Sequence, residues 1–425
     1  MSKTKAALAV LWCCAVLALP AHATPLQPPL DLRQAFALTL ERHPDLRRLP
    51  LQQAALGAQV DEAAQKPAWV VGASLENALG SGAYRGADET ELTLSLGSVI
   101  ESTARREARV EVARSRLSAL DTEREARRLD LLAEVARRYL DVLALQEEAA
   151  AWDATLAQRR DAADAAGKRV AAGASPRSVQ LGAEAAVARA VLSRARLEAA
   201  TDAGLRRLAL MWGGETTGPV AGNLLALPET PGFEQLVKLL DSTPELKGFA
   251  SEARLREARL RLARAQARPD IEWEIGVRRL QGSGDWALMG GVSVPLGSRR
   301  RAEPAIRGAQ AELDALSLER EAGALDLRAT LADAHGRMQA DGIAVRQSAS
   351  KVLPALERAE RAAAQAYRAG ALSYLEWAQL QSELLDARRE RIAAARDFHL
   401  ALIEIQRLTA EPFVLAEVAP NETTP

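Results

Sequence analysis

Few residues in this chain could bind a metal ion or attack a substrate, and they stand far apart. Outside the N-terminal segment the histidines are His43, His335 and His399, and the two cysteines, Cys13 and Cys14, lie within that segment. A stable metal site needs several such ligands at close spacing. We therefore expect no metal centre and no cofactor. His43, in the sequence HPDL, is interpreted as part of a local turn, and His399 as a surface or packing residue.

Acidic residues are abundant, but they stand beside arginines at helical spacing, as in Glu123 and Arg127 or Glu357 and Arg361. Residues four apart are neighbours on a helix surface, so these pairs favour solvated, stabilising faces over acid–base catalysis. The sequence contains no glycine-rich phosphate loop, no serine nucleophile elbow and no zinc signature. We expect that the chain is not an enzyme.

The composition favours long helices and excludes two classes of protein. The 425 residues include 55 basic and 56 acidic side chains, for a formal net charge of -1, and only 4% are aromatic. Abundant Ala, Leu, Arg and Glu indicate helices. The charge balance argues against nucleic acid as a partner. No apolar run after the N-terminal segment approaches the ~20 residues of a membrane helix, which excludes a bundle of membrane helices.

The N-terminus has the features of a secretory signal peptide. Lys3 and Lys5 precede an apolar run over residues 6–19, and Ala21 and Ala23 supply the small residues of a cleavage site. The apolar run is too short to span a bilayer, which needs ~20 residues. We therefore predict a signal peptide over residues 1–23, cleaved near Ala23. Both cysteines would leave with it.

The chain contains two similar halves. FALTLERHPDL (36–46) resembles LVKLLDSTPEL (236–246), and further pairs follow in the same order. A Gly/Pro/Thr-rich stretch (213–232) between the halves is predicted to be a linker. The first repeat (24–212) is predicted to contain a helix (45–66), strands (68–79 and 90–100), a long helix (101–172), a tip turn (173–176) and a helix (177–212). The second repeat (233–410) is predicted to contain a helix (245–267), strands (270–280 and 285–296), a long helix (300–369), a tip turn (370–372) and a helix (373–410), before a tail (411–425).

Apolar side chains alternate with polar or small ones in all four predicted strands, as at Trp69, Val71, Ala73 and Leu75. Period two over about 10 residues fits strands with one apolar and one wet face. Such strands could cover a soluble core, or they could face lipid, because a transmembrane strand needs about 9–11 residues of this pattern. Aromatic residues near the strand ends are predicted to lie at the membrane interface. They are Trp69, Tyr84, Trp273 and Trp286.

The two long helices favour an assembly over a compact domain. Each could reach roughly 100 Å at 1.5 Å per residue, so it must pack side by side with other helices. Four strands cannot close a lipid-exposed barrel, because the smallest such barrels have about 8 strands, and open edges are not tolerated in lipid. Several protomers would therefore contribute two hairpins each to one barrel. These expectations describe a duct.

The chain resembles the TolC family of outer membrane factors over residues 30–409. The clearest markers are the two helix-turn-helix tips, VAAGASPRSVQLGAEAAVARA and YRAGALSYLEWAQLQSELLDARRE, and the segment ALMWG that closes the first half. The resemblance implies a mixed α and β fold that is mostly α. Three chains would form a homotrimer with a 12-stranded β-barrel in the outer membrane, standing on a periplasmic α-helical barrel.

Within that family, ELTLSLGSVIESTARREAR and GVSVPLGSRRRAEPAIRGAQAEL resemble the cobalt-zinc-cadmium resistance branch. The resemblance implies the outer membrane channel of a tripartite efflux system. Its partners would be a periplasmic adaptor (a membrane fusion protein), an inner-membrane RND transporter and outer membrane lipid, and its cargo heavy-metal cations. A duct for organic drug efflux or type I secretion is the alternative within the family. A soluble periplasmic helical adaptor or scaffold is the alternative from another class.

The resemblance also implies site residues at the tips. Glu376 stands where the family has an acidic residue at the tip constriction, and Gln379 where it often has a second acid. Three copies of Glu376 would form a carboxylate ring, a device for cation passage. Alternatively, Glu376 only stabilises the first turn of a helix, where acids are favoured. Contact with an adaptor is expected through Gly173, Ser175, Arg177, Arg368, Gly370, Leu372 and Ser373.

Overall fold

The computed structural model describes residues 29–215 and 217–413. The predicted signal peptide, with its cleavage site near Ala23, lies outside the described residues, and so does most of the predicted tail. The described chain is mostly helical, with four strands, as the sequence predicted. In this part of the chain, no helix has an apolar stretch long enough to cross a bilayer.

Both halves contain helix, strand, strand, long helix and helix in the same order. The first half consists of α1 (Leu32–Arg42), α2 (Pro44–Arg47), α3 (Leu49–Ala64), β1 (Val70–Glu76), β2 (Glu91–Ile100), α4 (Thr103–Ala171) and α5 (Arg177–Ala209). The second half consists of α6 (Phe233–Leu240), α7 (Pro244–Ala265), β3 (Ile271–Leu280), β4 (Trp286–Ser293), α8 (Ser298–Gln347), α9 (Leu353–Ala369) and α10 (Tyr374–Thr409).

The long helix of the second half is not continuous, which corrects the prediction of a single helix over 300–369. A π-helical turn, Ser348–Val352, separates α8 from α9. Pro354 follows this turn, has no N–H to donate, and would crowd the carbonyl four residues earlier in a regular α-helix. The wider π turn absorbs that conflict. Its counterpart α4 has 69 residues and no such break, which corresponds to roughly 100 Å.

Two predicted strands are shorter than the sequence indicated. The strand predicted over 68–79 ends at Glu76, because Asn77 and Leu79 adopt left-handed backbone angles with φ of 57° and 58°. The strand predicted over 285–296 ends at Ser293, two residues before a proline that cannot donate to the ladder. At the other end of the first repeat, α5 stops at Ala209 and a 3-10 turn continues the chain to residue 212.

The four strands form one antiparallel sheet in the order β1-β2-β3-β4. The sequence predicted two hairpins, and the structure joins them, because β2 pairs with β3 from Glu91↔Leu280 to Ile100↔Ile271. Among the described residues, no further strand pairs with the outer edges of β1 and β4. Helices α3, α4, α7 and α8 all meet the sheet at the same end.

The main core lies where the two halves and the linker meet, below the sheet. The hydroxyl group of Tyr139 on α4 lies within hydrogen-bond distance of the Leu30 and Ala221 carbonyl oxygens. His399 on α10 is buried, and its Nε2 lies 3.0 Å from the Leu224 carbonyl oxygen. A carbonyl oxygen only accepts, so Nε2 carries the proton. Burial lowers the pKa of His399. His399 therefore holds the linker against α10 as a neutral packing residue.

The arginines pair mostly between helices rather than along them, which corrects two expected pairs. Arg127 bonds with Asp45 instead of Glu123, and Glu357 pairs with Arg388 at 3.3 Å instead of with Arg361. Spacing along one helix could not reveal a carboxylate on a neighbouring helix that lies closer to the guanidinium. These pairs fix α4 to α2 and α9 to α10.

Candidate functional site

One face of the sheet is apolar over most of its height. Paired residues on neighbouring antiparallel strands share a face, and the register places apolar residues opposite one another on all four strands. Several of them are strongly exposed, Val71 by 79% and Leu288 by 89%. An exposed apolar patch of this extent marks a membrane or protein contact. The apolar face consists of Val71, Ala73, Leu75, Leu92, Leu94, Leu96, Ile100, Ile271, Trp273, Ile275, Val277, Trp286, Leu288 and Val292, and it also carries Ser98, Gly290 and, at the loop end, Arg279.

The opposite face carries charges, small residues and few apolar side chains. Arg278 donates to Glu91 at 2.6 Å and to the Thr93 hydroxyl at 2.9 Å, and it lies 3.3 Å from Glu76. A concavity of about 530 Å³, on the scale of small-molecule sites, lies on this face near the helices, with Glu272 and Glu274 in its lining. The polar face consists of Gly72, Ser74, Glu76, Glu91, Thr93, Ser95, Gly97, Glu272, Glu274, Gly276, Arg278, Gly291 and Ser293, with Val70, Val99, Leu280, Ala287 and Met289.

Glycines on the polar face allow the strands to approach closely. A Cβ atom on Gly276 would lie 2.8 Å from the Leu94 carbonyl oxygen, and one on Gly72 would lie 2.8 Å from the Ser95 hydroxyl oxygen. Either distance is too short for a real contact. The missing side chains leave this side of the sheet less crowded than the apolar side, which suits a sheet that curves toward its polar face.

The predicted interface aromatics lie at two levels of the sheet. Trp69, just before β1, packs edge-on against Trp273 at 5.6 Å near the helices. Trp286 lies at the opposite end beneath the Arg279 guanidinium, at 5.6 Å. Tyr84 lies in the loop beyond that end and is half exposed. Six residues of β3 separate the two tryptophan levels, or ~20 Å at 3.3 Å per residue.

The two tips end their long helices with the same hydrogen-bond motif. Gly173 has φ of 70°, and the Ala174 amide donates to the Arg169 carbonyl oxygen at 2.8 Å. Gly370 has φ of 86°, and the Ala371 amide donates to the Ala366 carbonyl oxygen at 2.8 Å. Both are Schellman motifs, which place a left-handed glycine after the last helical turn. The chain therefore reverses in the same way at each tip.

Glu376 takes part in a capping box at the start of α10. Its carboxylate accepts from the Ser373 amide at 3.0 Å and from the Ser373 hydroxyl at 2.7 Å. The hydrogen bonds from Ser373 lower the pKa of Glu376, whose side chain is exposed. Gln379, one turn later, donates to Glu383 at 3.0 Å. Glu376 is thus an exposed carboxylate with a fixed position.

Arg169, which the sequence analysis did not single out, connects the two tips. Its guanidinium donates to the Tyr367 carbonyl oxygen, lies 4.9 Å from the centre of the Tyr367 ring, and donates to the Ser175 hydroxyl at 3.2 Å. The aligned position in the second half is Ala366. Because the two tip sequences are otherwise similar, a comparison of them could have singled out Arg169. Of the other predicted tip residues, Arg177 and Arg368 are exposed and Leu372 packs beside Tyr367.

A small aromatic core supports the tips. Trp377 is 1% exposed, and its indole N–H donates to the Glu360 carboxyl group at 3.0 Å. The rings of Trp377 and Tyr367 lie 5.2 Å apart. Glu360 is itself buried, so the indole supplies a bond that water cannot easily replace. Within the described ranges, no group of three or more His, Cys, Asp or Glu residues is arranged to hold a metal ion.

A comparison with known protein families identifies the family of this chain. Residues 36–214 and 236–411 match the model of the family described as outer membrane efflux protein, so that one match falls in each half. The chain belongs to the outer membrane efflux protein family.

Other efflux proteins resemble this one in sequence and in fold. The cobalt-zinc-cadmium resistance protein CzcC of Cupriavidus metallidurans is 27% identical over 321 residues, 74% of this chain and 76% of CzcC. A crystal structure of CusC, reported with its transmembrane channel formation, has a TM-score of 0.73 and 17% identity over 90% of this chain and 93% of CusC. The outer membrane protein VceC of Vibrio cholerae has a TM-score of 0.71 and 20% identity over 90% of this chain and 97% of VceC.

The family match includes both the sheet and the tips of this outer membrane efflux protein. The family consists of efflux proteins of the outer membrane, which are transport proteins. The resemblance to the TolC family and to its heavy-metal resistance branch is confirmed by the family match and by the CzcC relative. Both structural matches extend over 90% of this chain.

Proposed function

We propose that this protein is the outer membrane channel of a tripartite RND-type efflux system. The observation that carries the proposal is the four-stranded sheet with one apolar face, one polar face and two open edges. Unpaired strand edges are not tolerated in lipid. Three copies of the sheet, joined from β4 of one chain to β1 of the next, would close a 12-stranded barrel. The apolar faces would then contact lipid, and the polar faces would line water.

The helices extend this barrel into the periplasm. Helix α4 alone corresponds to roughly 100 Å, and helices α4, α7, α8 and α10 pack side by side. Three sets of such helices would form a helical barrel that ends at the tips. A periplasmic adaptor would contact the exposed turns there, and an inner-membrane RND transporter would supply the energy. The channel itself would conduct passively. The tip residues proposed for adaptor contact are Gly173, Ser175, Arg177, Arg368, Gly370, Leu372 and Ser373.

Heavy-metal cations are the proposed cargo. The relative CzcC is named for cobalt, zinc and cadmium resistance. The polar face of the sheet carries four acids, Glu76, Glu91, Glu272 and Glu274, against the single base Arg278. Acidic rings favour cations in a pore. A duct for organic drugs or type I secretion is the alternative within the family, and a soluble periplasmic adaptor is the alternative from another class.

Membrane fractionation with crosslinking tests the channel. The proposal predicts a detergent-dependent, heat-modifiable trimer in the outer membrane fraction. A protein that is soluble without detergent and silent in a planar bilayer would support the adaptor instead. Deletion of the gene tests the cargo separately. A deletion strain with unchanged resistance to zinc, cobalt and cadmium would exclude the metal assignment while leaving the channel intact.

Glu376→Gln should reduce the preference of the reconstituted channel for cations over anions. Glutamine keeps an acceptor for the capping box but removes the three charges that the ring would contribute. Because hydrogen bonds from Ser373 lower the pKa of Glu376, the wild-type carboxylate becomes protonated at a lower pH than an ordinary glutamate does. The preference should therefore persist in mild acid and disappear only at lower pH. Reversal potentials in a salt gradient, recorded across a pH series, measure both effects.

Ser373→Ala is the matched control for Glu376→Gln. It keeps the acid but removes the hydroxyl that lowers its pKa. The variant should keep its cation preference at neutral pH and lose it at a higher pH than the wild type does. Equal reversal potentials for Glu376→Gln and the wild type would show that Glu376 serves only the helix start.

A further inference from the structure

The end of the sheet that joins the helices is strongly basic. The eight residues on the helix side of each strand are 62–69, 101–108, 263–270 and 294–301, and together they hold eight bases and four acids. The loops at the other end, 77–90 and 281–285, hold one base and three acids. We call the eight bases the arginine collar. They are Lys66, Arg105, Arg106, Arg264, Arg268, Arg299, Arg300 and Arg301.

Most of the collar has no acidic partner in the part of the chain that the structure describes. Arg105 bonds with Asp270, so one of the four acids at this end of the sheet is already paired with a collar base. Arg264 donates to the Gln310 side chain at 3.2 Å, and Arg301 donates to the Leu296 carbonyl oxygen at 3.1 Å. The remaining collar bases form no ion pair among the described residues. They are Lys66, Arg106, Arg268, Arg299 and Arg300.

Three of the eight collar bases lie at a helix end where a positive charge does not stabilise the helix. Arg299, Arg300 and Arg301 are exposed in the first turn of α8, which contains no acid and has Gly297 as its N-cap. Cations at a helix N-terminus face the positive end of the helix dipole. Their presence there does not stabilise α8. Successive helix residues point about 100° apart, since one turn takes 3.6 residues, so at least one of the three faces away from the channel axis.

The collar directly adjoins the apolar face. Val294 and Leu296, between β4 and the three arginines, are 43% and 87% exposed. The Trp69–Trp273 pair marks the same end of the sheet. Aromatic residues lie at the headgroup level of a membrane. Arginine binds phosphate oxygens through two parallel hydrogen bonds.

We propose that the arginine collar binds the phosphate groups of phospholipids in the periplasm-facing leaflet of the outer membrane. The inference rests on the proposed function, because it places the apolar face in lipid and the helices in the periplasm. Anionic phospholipid would then fix the height of the barrel in the bilayer and stabilise the trimer. Basic residues just outside an apolar band are attracted to anionic headgroups in this way.

The test uses the full-length trimer with Arg299→Gln, Arg300→Gln and Arg301→Gln combined. Wild type and variant are placed in nanodiscs of phosphatidylcholine, with or without phosphatidylglycerol, and the temperature of trimer dissociation is measured. Phosphatidylglycerol should raise that temperature for the wild type, and the triple variant should lose more than half of the increase. High salt should also reduce the increase, because the Debye length falls to about 3 Å at 1 M.

Arg320→Gln, Arg328→Gln and Arg361→Gln provide the matched control. These three arginines are exposed on α8 and α9, far along the chain from the sheet, and the control should keep the full increase. An undiminished increase in the collar variant would overturn the proposal. So would a collar variant that forms no trimer in either lipid, because the arginines would then join neighbouring chains. The same measurement is repeated in nanodiscs that contain lipid A in place of phosphatidylglycerol. A collar variant that loses the response to lipid A but keeps the response to phosphatidylglycerol would overturn the choice of leaflet. A wild-type protein that stays soluble without detergent would overturn the channel itself.

Discussion

Leu288→Arg should remove the assembled trimer from the outer membrane. Leu288 is 89% exposed on the apolar face and pairs with Val277, close to the middle of the sheet's height. An arginine on the lipid face at the bilayer midplane costs about 2–4 kcal/mol, and a trimer would carry three. That sum is comparable with the whole stability of many domains. Outer membrane fractionation and the heat-modifiable band on a gel measure the loss.

Met289→Arg is the control, because it adds the same side chain one residue later on the other face. Met289 lies on the polar face, is 40% exposed and pairs with Gly276. This variant should still assemble, and its added positive charge should weaken the preference for cations. Equal loss of trimer in both variants would contradict the division of the sheet into a lipid face and a water face.

Trp377→Ala should destabilise the tips by about 3–5 kcal/mol, the usual cost of emptying a buried tryptophan site. The side chain is 1% exposed and packs on Tyr367, whose carbonyl oxygen accepts the bond from Arg169. Loss of that support should loosen both tips together while the sheet remains assembled. Limited proteolysis of the trimer and hydrogen exchange over residues 165–180 and 360–380 measure the change.

Trp377→Phe separates packing from hydrogen bonding at the same site. It keeps most of the apolar volume but leaves the Glu360 carboxyl group buried without its donor. An unsatisfied buried polar group costs about 1–3 kcal/mol. Trp377→Phe combined with Glu360→Leu removes both partners and should recover much of that loss. A double variant no more stable than Trp377→Phe would indicate that the indole bond contributes little.

The sequence predicted the features that depend on local periodicity. Alternation at Val71, Ala73 and Leu75 predicted an apolar face, and the register places these positions on one side of the sheet. The apolar face follows from strand period alone, because successive side chains point to opposite sides. The turns at the two tip glycines could also be predicted from the sequence, because a left-handed position after a long helix strongly favours glycine.

Features that depend on distant partners could not be predicted in the same way. Nothing in the local pattern of Arg127 distinguishes Glu123, four residues away, from Asp45 on another helix. The difference between Arg169 and Ala366 could be seen in the sequence, but the bond from Arg169 to the Tyr367 carbonyl oxygen is seen only when the second tip is folded beside the first. An irregular turn before Pro354 could in principle be predicted from the sequence, because proline conflicts with a regular helix interior. Its form depends on how α8 and α9 are held by α10.

The pairing of β2 with β3 has a consequence for the order in which the protein can fold. Arg278 and Glu91, which bond across these strands, are 187 positions apart in the chain. Contacts of such long sequence separation form slowly, because the loop between them must close first. The helices, whose backbone hydrogen bonds are local, and the hairpins β1–β2 and β3–β4 can form while the two halves of the sheet are still separate. The edge of β2 that pairs with β3 therefore remains without its partner until the second half of the chain has been made, and the apolar strands need protection from aggregation throughout that interval.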